Sequence, residues 1–255
     1  MVTALADTPL TWYIYSMKDL LTAGNPKTVK GVAKGFLTYI LHLAPSTLSG
    51  FNVCPRATKG CAAACLNTAG HGGIYKRGEV TNRVQIARIR KTVAFFMERP
   101  MFVARIVREI ENALKLADKK NLIPVFRLNG TSDIRWETVR VIRNGVEYPN
   151  LMAAFPTVQF YDYSKIANRR DIPANYHLTF SLSEDNDGAA ALALYNGMNV
   201  AVVYKKVPHF DVIGDLTLKV AVGDESDLRF LDPSGVIVGL KAKGRAKKDT
   251  SGFVR

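Results

Sequence analysis

Cysteine is absent from almost all of this chain. Only 3 of its 255 residues are cysteine, and they lie together in the segment Cys54-Pro-Arg-Ala-Thr-Lys-Gly-Cys61-Ala-Ala-Ala-Cys65. A disulfide framework uses an even number of cysteines spread along the chain, so an odd and crowded set excludes one. Thiols that are not paired in disulfides are typical of a reducing compartment, and we expect a cytoplasmic protein.

Long apolar runs are also missing. No stretch approaches the roughly 18 apolar residues that a membrane-spanning helix needs, and residues 1–7 lack the basic and apolar segments of a signal peptide. We therefore expect no membrane partner. With 47% hydrophobic and 22% charged residues, the composition is that of a globular protein with a sizeable core.

Acidic residues are scarce relative to basic ones. Asp and Glu number 22 against 35 Lys and Arg, which leaves a net charge of +13. Such a surplus favours polyanions, so we predict nucleic acid or a nucleotide as the partner, with a basic surface that serves only solubility as the open alternative. The chain lacks a P-loop, a G-x-G-x-x-G segment after a strand and an H-E-x-x-H segment, which disfavours kinases, nucleotide-dependent dehydrogenases and zincin proteases.

Six apolar runs rich in β-forming residues predict strands. They occupy residues 38–43, 123–128, 157–161, 177–182, 199–204 and 235–240. Periodicity predicts helices between several of them: one that Asn82 caps and Pro100 ends, and others at residues 102–119, 135–143 and 188–195. Residues 215–221 predict an additional antiparallel strand.

The alternation of strands and helices predicts an α/β protein, specifically a partial (β/α)6 TIM-like barrel with the three-cysteine loop after its first strand. An open doubly wound sheet would give a similar pattern. The predicted domains are an N-terminal extension at residues 1–37, a barrel-like catalytic domain at residues 38–243, and a basic C-terminal tail at residues 244–255. We expect the tail to be mobile unless it meets an anion.

Three thiols in one loop are typical of metal or cluster ligation, because one ion or cluster must contact them all. We predict Cys54, Cys61 and Cys65 as the ligands. Zinc takes four ligands in a closed structural site, and His71 would complete such a set. An iron–sulfur cluster held by three cysteines leaves one iron open to substrate or cofactor. We favour iron–sulfur over zinc, with three buried and unliganded thiols as the plain alternative.

Polar residues follow the predicted strands at the edge where parallel α/β proteins place their active sites. We predict Asp133, Asp162 and Lys205 as catalytic residues, the carboxylates as nucleophile or general base and the lysine as a phosphate contact. Asn129 and Glu184 are predicted to bind a cofactor. The plain alternatives are helix capping by Asp133, a helix-dipole contact for the acidic residues around Glu184, and a surface position for Lys205.

The layout of residues 38–243 resembles that of the radical S-adenosylmethionine (SAM) enzymes. In that superfamily, three cysteines after the first strand of a six-unit barrel hold a [4Fe-4S] cluster, and SAM chelates the fourth iron. The spacing here is C-x6-C-x3-C, whereas the usual pattern is C-x3-C-x2-C. The resemblance implies a [4Fe-4S] cluster on Cys54, Cys61 and Cys65, with SAM as a co-substrate.

The segment from Asn52 to Gly72, which contains the cysteines, resembles the gene product 88 family of phage-encoded proteins. We expect that resemblance to span most of the chain. It implies a phage protein that works in the host cytoplasm.

Three functions are open at this point. The first is an iron–sulfur enzyme, similar to radical SAM enzymes, that acts on a nucleotide or nucleic acid. The second is a zinc enzyme that resembles base-exchange transglycosylases and modifies nucleic acid, with Asp133 or Asp162 as nucleophile. The third is a non-enzymatic, metal-stapled protein that binds nucleic acid through its basic residues.

Overall fold

A central sheet organises the part of the chain that this computed structural model describes, residues 19–24, 26–75 and 80–255. Residues 1–18 and 25 of the predicted N-terminal extension lie outside the described residues. The strands of this sheet are β1 (Leu21–Thr22), β2 (Phe36–Leu41), β3 (Ile123–Arg127), β6 (Gln159–Ser164), β7 (Tyr176–Ser181), β8 (Val200–Tyr204), β9 (Phe210–Ile213), β10 (Leu216–Val222) and β11 (Ile237–Lys241). A separate hairpin pairs β4 (Val141–Arg143) with β5 (Val146–Tyr148).

The helices lie between the strands, as the alternating pattern predicts. They are α1 (Pro26–Val32), α2 (Lys59–Ala63), α3 (Arg83–Met97), α4 (Arg99–Lys119), α5 (Leu151–Ala154) and α6 (Asp187–Tyr195). The Asn82 side chain caps α3 by accepting a hydrogen bond from the main-chain nitrogen of Gln85 at 3.0 Å. Pro100 lies in the first turn of α4, where the missing N–H of proline costs no helical hydrogen bond, so both predicted boundaries are confirmed.

The strands follow the order β1-β2-β3-β6-β7-β8-β11-β10-β9. All pairings from β2 through β11 to β10 are parallel, and only β1 and β9 join antiparallel to their neighbours. Among the described residues the two edge strands do not pair with each other, so the sheet is not closed. The protein is therefore a mixed α/β protein with a large and mostly parallel sheet.

All six predicted strands are confirmed, with boundaries that shift by a few residues. The largest shift is at β6, which was expected to end at Tyr161 and continues to Ser164. The additional strand expected at residues 215–221 is β10. It pairs antiparallel with β9, as predicted, and also parallel with β11.

The helix predicted at residues 135–143 is wrong. The chain forms a single 3-10 turn at Trp136–Thr138 and then the hairpin of β4 and β5. Asn144 and Gly145 form the connection, both with positive φ, 51° and 77°. Asn-Gly is the preferred pair for a two-residue hairpin turn, and this turn chemistry overrides the helical spacing of the apolar residues.

Helices cover one face of the sheet. Phe126 of β3 and Phe160 of β6 share a buried apolar cluster with Phe95 of α3 and with Phe102 and Ile106 of α4. A second cluster joins Phe180 of β7 and Val200 of β8 to Ala190 and Leu194 of α6. Because side chains alternate along a strand, the residues between these apolar ones point to the opposite face.

The opposite face is polar over its central strands. We call it the polar face and define it by Arg127 of β3, Tyr161 and Tyr163 of β6, and His177 and Thr179 of β7. The 3-10 turn Arg229–Leu231 packs against β6 and β7, and the preceding Leu228 is buried with Tyr161. The sheet thus has an apolar face that most helices cover, and a face with a polar centre that α1, beside β2, and a loop partly cover.

Candidate metal centre

The cysteine loop begins after β2 and contains the short helix α2. Thr58 caps α2, because its hydroxyl accepts a hydrogen bond from the main-chain nitrogen of Cys61 at 3.0 Å. Cys65 lies two residues beyond the helix and begins the 3-10 turn Leu66–Thr68, its sulfur accepting from the nitrogen of Asn67 at 3.5 Å. Two of the three thiols therefore lie on short, locally capped turns.

Glu184, which follows β7, fastens this loop to the sheet. Its carboxylate accepts a hydrogen bond from the Thr58 hydroxyl and another from the main-chain nitrogen of Gly60, each at 2.7 Å. A Cβ at position 60 would lie only 2.7 Å from the Glu184 carboxylate and closer still to the Ser251 hydroxyl, so glycine permits this close approach. The sequence predicts cofactor binding for Glu184; the structure directs both of its oxygens to the cysteine loop.

The loop extends from the end of β2 to the C-terminal part of the chain, which follows β11. Ala64 shares a buried cluster with Ala242, Ala246 and Val254, all from the C-terminal part of the chain. A Cβ at Gly244 would lie 3.0 Å from the Thr68 carbonyl oxygen, which shows how closely the two segments approach. The loop therefore lies over the edge formed by the C-terminal ends of the parallel strands.

The C-terminal tail, expected to be mobile unless it met an anion, is packed against the sheet, and its last residue meets two carboxylates. Val254 forms a parallel bridge with Val203 of β8. The Arg255 guanidinium pairs with Asp187 at 2.6 Å and with Asp211 at 2.9 Å. These contacts place the tail beside the cysteine loop.

The three thiols are free and partly buried, and their charges would interact. Burial, together with negative charge on Cys65, Asp133 or Cys61, raises the pKa of Cys54 to about 12, and a main-chain hydrogen bond at Ser46 opposes this rise. Burial also raises the pKa of Cys65, as does the Cys61 thiolate, whereas Arg88 and Lys165 lower it. The thiols thus share one electrostatic neighbourhood in which a bound cation would favour the thiolate forms.

The loop does not hold its thiols in the arrangement of an assembled metal site. Among the described residues, no group of three or more His, Cys, Asp or Glu side chains is arranged to bind a metal ion. Cys54 is directed to the Thr131 carbonyl oxygen, 3.8 Å from its sulfur. His71, the predicted fourth zinc ligand, is exposed in the turn Gly70–Gly73. Binding of one ion or cluster by all three thiols requires the loop to tighten.

Asp133 lies next to this loop and connects it with β6. Its carboxylate accepts hydrogen bonds from the Ser164 hydroxyl and from the main-chain nitrogen of Lys165, each at 2.8 Å. Its own nitrogen donates to the Val53 carbonyl oxygen at 2.8 Å. Burial raises the pKa of Asp133, and these donors oppose the rise. Asp133 does not cap a helix, because residues 135–143 form no helix.

Asp162 lies inside β6 and is fully buried. Its carboxylate accepts hydrogen bonds from the nitrogens of Asn129 and Leu128, at 2.7 and 3.3 Å, and from the Tyr176 hydroxyl at 2.9 Å. Burial raises its pKa to about 7, and Arg127 and the hydrogen bonds oppose the rise. Asp162 therefore connects the residues just beyond β3 with β6 and β7.

Asn129 and Lys205 have different surroundings. The Asn129 amide donates to the Ile134 carbonyl oxygen at 2.9 Å, and its oxygen accepts from the Ile134 nitrogen and the Trp136 indole, at 2.9 and 3.2 Å. These bonds shape the loop after β3. Lys205 is exposed just beyond β8, at the same edge as the cysteine loop, and its main-chain nitrogen donates to the Arg255 carbonyl oxygen at 2.8 Å.

Two basic residues beside the thiols were not singled out from the sequence. The Lys165 amine, just beyond β6, donates to the Ser181 hydroxyl at 2.8 Å and lies 5.4 Å from the centre of the Phe253 ring. Arg88 donates to the Asn67 side chain at 2.6 Å and so holds the turn that follows Cys65. The position of Lys165 directly after a strand was a usable signal, but β6 was expected to end too early.

The fold and this site define a class: a mixed α/β protein that carries a three-thiol loop over the C-terminal edge of a mostly parallel sheet. Residues 19–255 match the model of the family described as gene product 88. The chain belongs to this phage protein family, which confirms the resemblance seen in the cysteine loop. No curated protein and no solved structure matches the chain. No described helix is long and apolar enough to cross a membrane.

Proposed function

We propose that this protein is an iron–sulfur enzyme, similar in layout to radical SAM enzymes, that acts on a nucleotide or nucleic acid. The observation that carries the proposal is the position of the three free thiols, in one electrostatic neighbourhood at the edge where the parallel strands end. Parallel α/β proteins form their active sites at that edge. Such a position favours a reactive centre over a structural staple.

The donor set fits a cluster better than it fits a closed zinc site. Cys54, Cys61 and Cys65 would be the ligands, and the exposed His71 has no described contact that would bring it to them. Three thiolates on a four-iron cluster would leave one iron open to SAM or substrate, and the bound cluster would supply electron transfer or Lewis-acid chemistry. Metal sites that complete their geometry on binding are common, so the looser arrangement of free thiols is compatible with this role.

The strand order supports the partial-barrel form of the proposal. The strands β2, β3, β6, β7, β8 and β11 are neighbours in the order in which they occur along the chain, and all pair in parallel. Successive parallel strands that add at the same side of a sheet are typical of barrels, whereas doubly wound sheets reverse direction at a switch point.

Residues of this chain suit an anionic substrate. Lys165 and Lys205 follow β6 and β8 at the edge that the cysteine loop covers, and Arg88 lies beside Cys65. A net charge of +13 attracts polyanions to the molecule as a whole. Asp133 and Glu184 would position β6 and the cysteine loop. The buried hydrogen bonds of Asp133 and Asp162 give no support to the base-exchange reaction, which needs an accessible carboxylate nucleophile.

Metal analysis tests the proposal. Protein purified without oxygen is expected to contain iron and acid-labile sulfide and to absorb visible light, and Cys54→Ser, Cys61→Ser and Cys65→Ser should each lose most of the iron. Ala63→Ser is the matched control, because it adds a hydroxyl at an exposed position of the same loop and removes no thiol. Stoichiometric zinc without iron would favour the zinc alternative, and absence of both metals would refute a metal centre.

A further inference from the structure

Several buried polar atoms of the polar face, and of the turn Arg229–Leu231 that packs against it, have no hydrogen-bond partner among the described residues. They include the Tyr163 hydroxyl, Nε2 of His177, the Thr179 hydroxyl, Nε of Arg127, and Nε and Nη1 of Arg229. Thr179 is 0% exposed and Arg229 is 1% exposed, so bulk solvent does not supply the missing hydrogen bonds. A buried polar group without a partner costs about 1–3 kcal/mol, which makes a cluster of them a feature that needs an explanation.

These groups lie close together. Tyr163 and Thr179 are register partners on adjacent strands, and so are Tyr161 and His177. The Arg127 guanidinium lies 4.7 Å from the centre of the Tyr163 ring. Arg229 lies near enough to His177 to lower its pKa, after the larger effect of burial. The unpartnered atoms therefore face one region of the polar face.

The cluster consists mainly of hydrogen-bond donors. Both arginine Nε atoms can only donate, and the two hydroxyls can donate as well as accept. Two carboxylates lie beside these donors. Asp227 accepts from Arg127 at 3.1 Å and from the Tyr161 hydroxyl at 3.3 Å. Asp232 forms an ion pair with Arg229 at 3.2 Å, although its Oδ2 atom makes no hydrogen bond with the described residues. A ligand that satisfies the remaining donors must therefore bring several acceptor oxygens.

The region borders the edge that carries the cysteine loop. Tyr163 and His177 are only partly buried as whole residues. On the same face, two residues beyond Tyr163 and Thr179, the Lys165 amine meets the Ser181 hydroxyl at 2.8 Å. Hydrogen-bond donors thus continue from the polar face to the edge of the sheet, and this edge offers a route of entry.

We propose that the polar face binds an oxyanion group, the phosphate of a nucleotide or free phosphate, through Arg127, Tyr163, Thr179 and Arg229. Guanidinium groups and hydroxyls are the donors that proteins use for phosphate oxygens. The site uses none of the three thiols, so the proposal does not depend on the identity of the metal or on the proposed reaction.

Inorganic phosphate is the probe for the test. Titration of the full-length protein, at an ionic strength held constant with chloride, is expected to show saturable phosphate binding and an increase in Tm. Tyr163→Phe should weaken phosphate binding about tenfold, because it removes one hydrogen bond to a charged group. Without phosphate, the same variant should have an increased Tm, because it removes a buried hydroxyl that lacks a partner. Thr179→Val, a second near-isosteric change, should also weaken binding.

Tyr204→Phe is the matched control. Its hydroxyl donates to Asp211 at 2.6 Å, so this variant should lose stability and bind phosphate as the wild type does. Tighter binding of a nucleoside monophosphate than of phosphate would support the site and identify a nucleotide ligand, and equal binding would support it as a site for free phosphate. Absence of saturable phosphate binding, or wild-type affinity in both Tyr163→Phe and Thr179→Val, would overturn the proposal.

Discussion

At the scale of single residues, the chemistry of a side chain depended on whether it lay inside a strand or beyond its end. Asp133 lies beyond β3 and reaches the cysteine loop, while Asp162 lies within β6 and is sealed between strands. Both were predicted as catalytic carboxylates because each follows an apolar run. Burial and hydrogen bonding now distinguish them: Asp162 connects three strands, and Asp133 joins a strand end to the loop.

Asp162 should impose a pH dependence on stability. Its pKa is raised to about 7 in the folded protein, above the value of about 3.8 for an unperturbed aspartate, so folding favours the protonated form. The unfolded chain releases this proton first as the pH rises, and the stabilisation is lost between about pH 4 and pH 7. Asp162→Asn cannot ionise and should lack this loss of stability.

The free energy of unfolding in urea, measured across that pH interval, provides the test. Other carboxyl groups contribute equally to both proteins, so the difference between wild type and Asp162→Asn isolates this residue. Asp118→Asn, on the exposed surface of α4, should retain the pH dependence of the wild type. The same pH dependence in wild type and Asp162→Asn would contradict the raised pKa.

At the scale of elements, short segments with specific turn or capping residues form the cysteine loop and its surroundings. Helix α2 has only five residues and depends on Thr58 as its cap and on Glu184 as its anchor. The hairpin of β4 and β5 replaced a predicted helix, because Asn144-Gly145 specifies a tight turn. Local turn residues were therefore better guides than apolar spacing in these segments.

A pair of glycine substitutions tests the anchoring of α2. Gly60→Ala would place a methyl group 2.7 Å from the Glu184 carboxylate and closer still to the Ser251 hydroxyl, and we expect it to lower the free energy of unfolding by about 1–3 kcal/mol. Gly188→Ala, in α6, meets no atom within 4 Å and should raise it by about 0.5–1 kcal/mol. Chemical denaturation measures both. Equal effects of the two changes would show that the close contacts of Gly60 with Glu184 and Ser251 do not constrain the loop.

At the scale of the whole molecule, the candidate functional residues lie at one edge of the sheet. The cysteine loop, Lys165, Lys205 and the packed tail all lie where the parallel strands end. The net charge of +13 adds a long-range attraction for anions to this local arrangement. A polyanion would be attracted by the whole surface and oriented at this edge.

The salt dependence of nucleic-acid binding tests this orientation. We expect affinity for single-stranded DNA to fall steeply with salt, and Lys205→Ala to reduce the slope of log K against log[salt] by about 1. Lys119→Ala is the matched control, since Lys119 is exposed at the end of α4, next to the start of β3 and so at the opposite edge of the sheet. Its slope should equal that of the wild type. Equal slopes for all three proteins would contradict the proposal that nucleic acid binds at the edge that carries Lys205.

Much of the framework followed from the sequence alone. Local apolar patterns predicted the six main strands, and capping and helix-breaking residues predicted the α3 cap at Asn82 and the helix boundary at Pro100. The segment with the crowded cysteines indicated the family. The spacing of the cysteines also singled out the loop as a candidate centre before any geometry was known.

Only the tertiary structure decided how the chemical groups meet. Arg127, Tyr163 and Thr179 are far apart in the chain and share one face because parallel strands place residues of matching register side by side. Glu184 and Asp162 lie in similar sequence surroundings, beside predicted strand ends, yet one anchors the cysteine loop and the other is enclosed by three strands. Composition and periodicity are local properties, whereas burial, register and partner choice arise from contacts between distant segments.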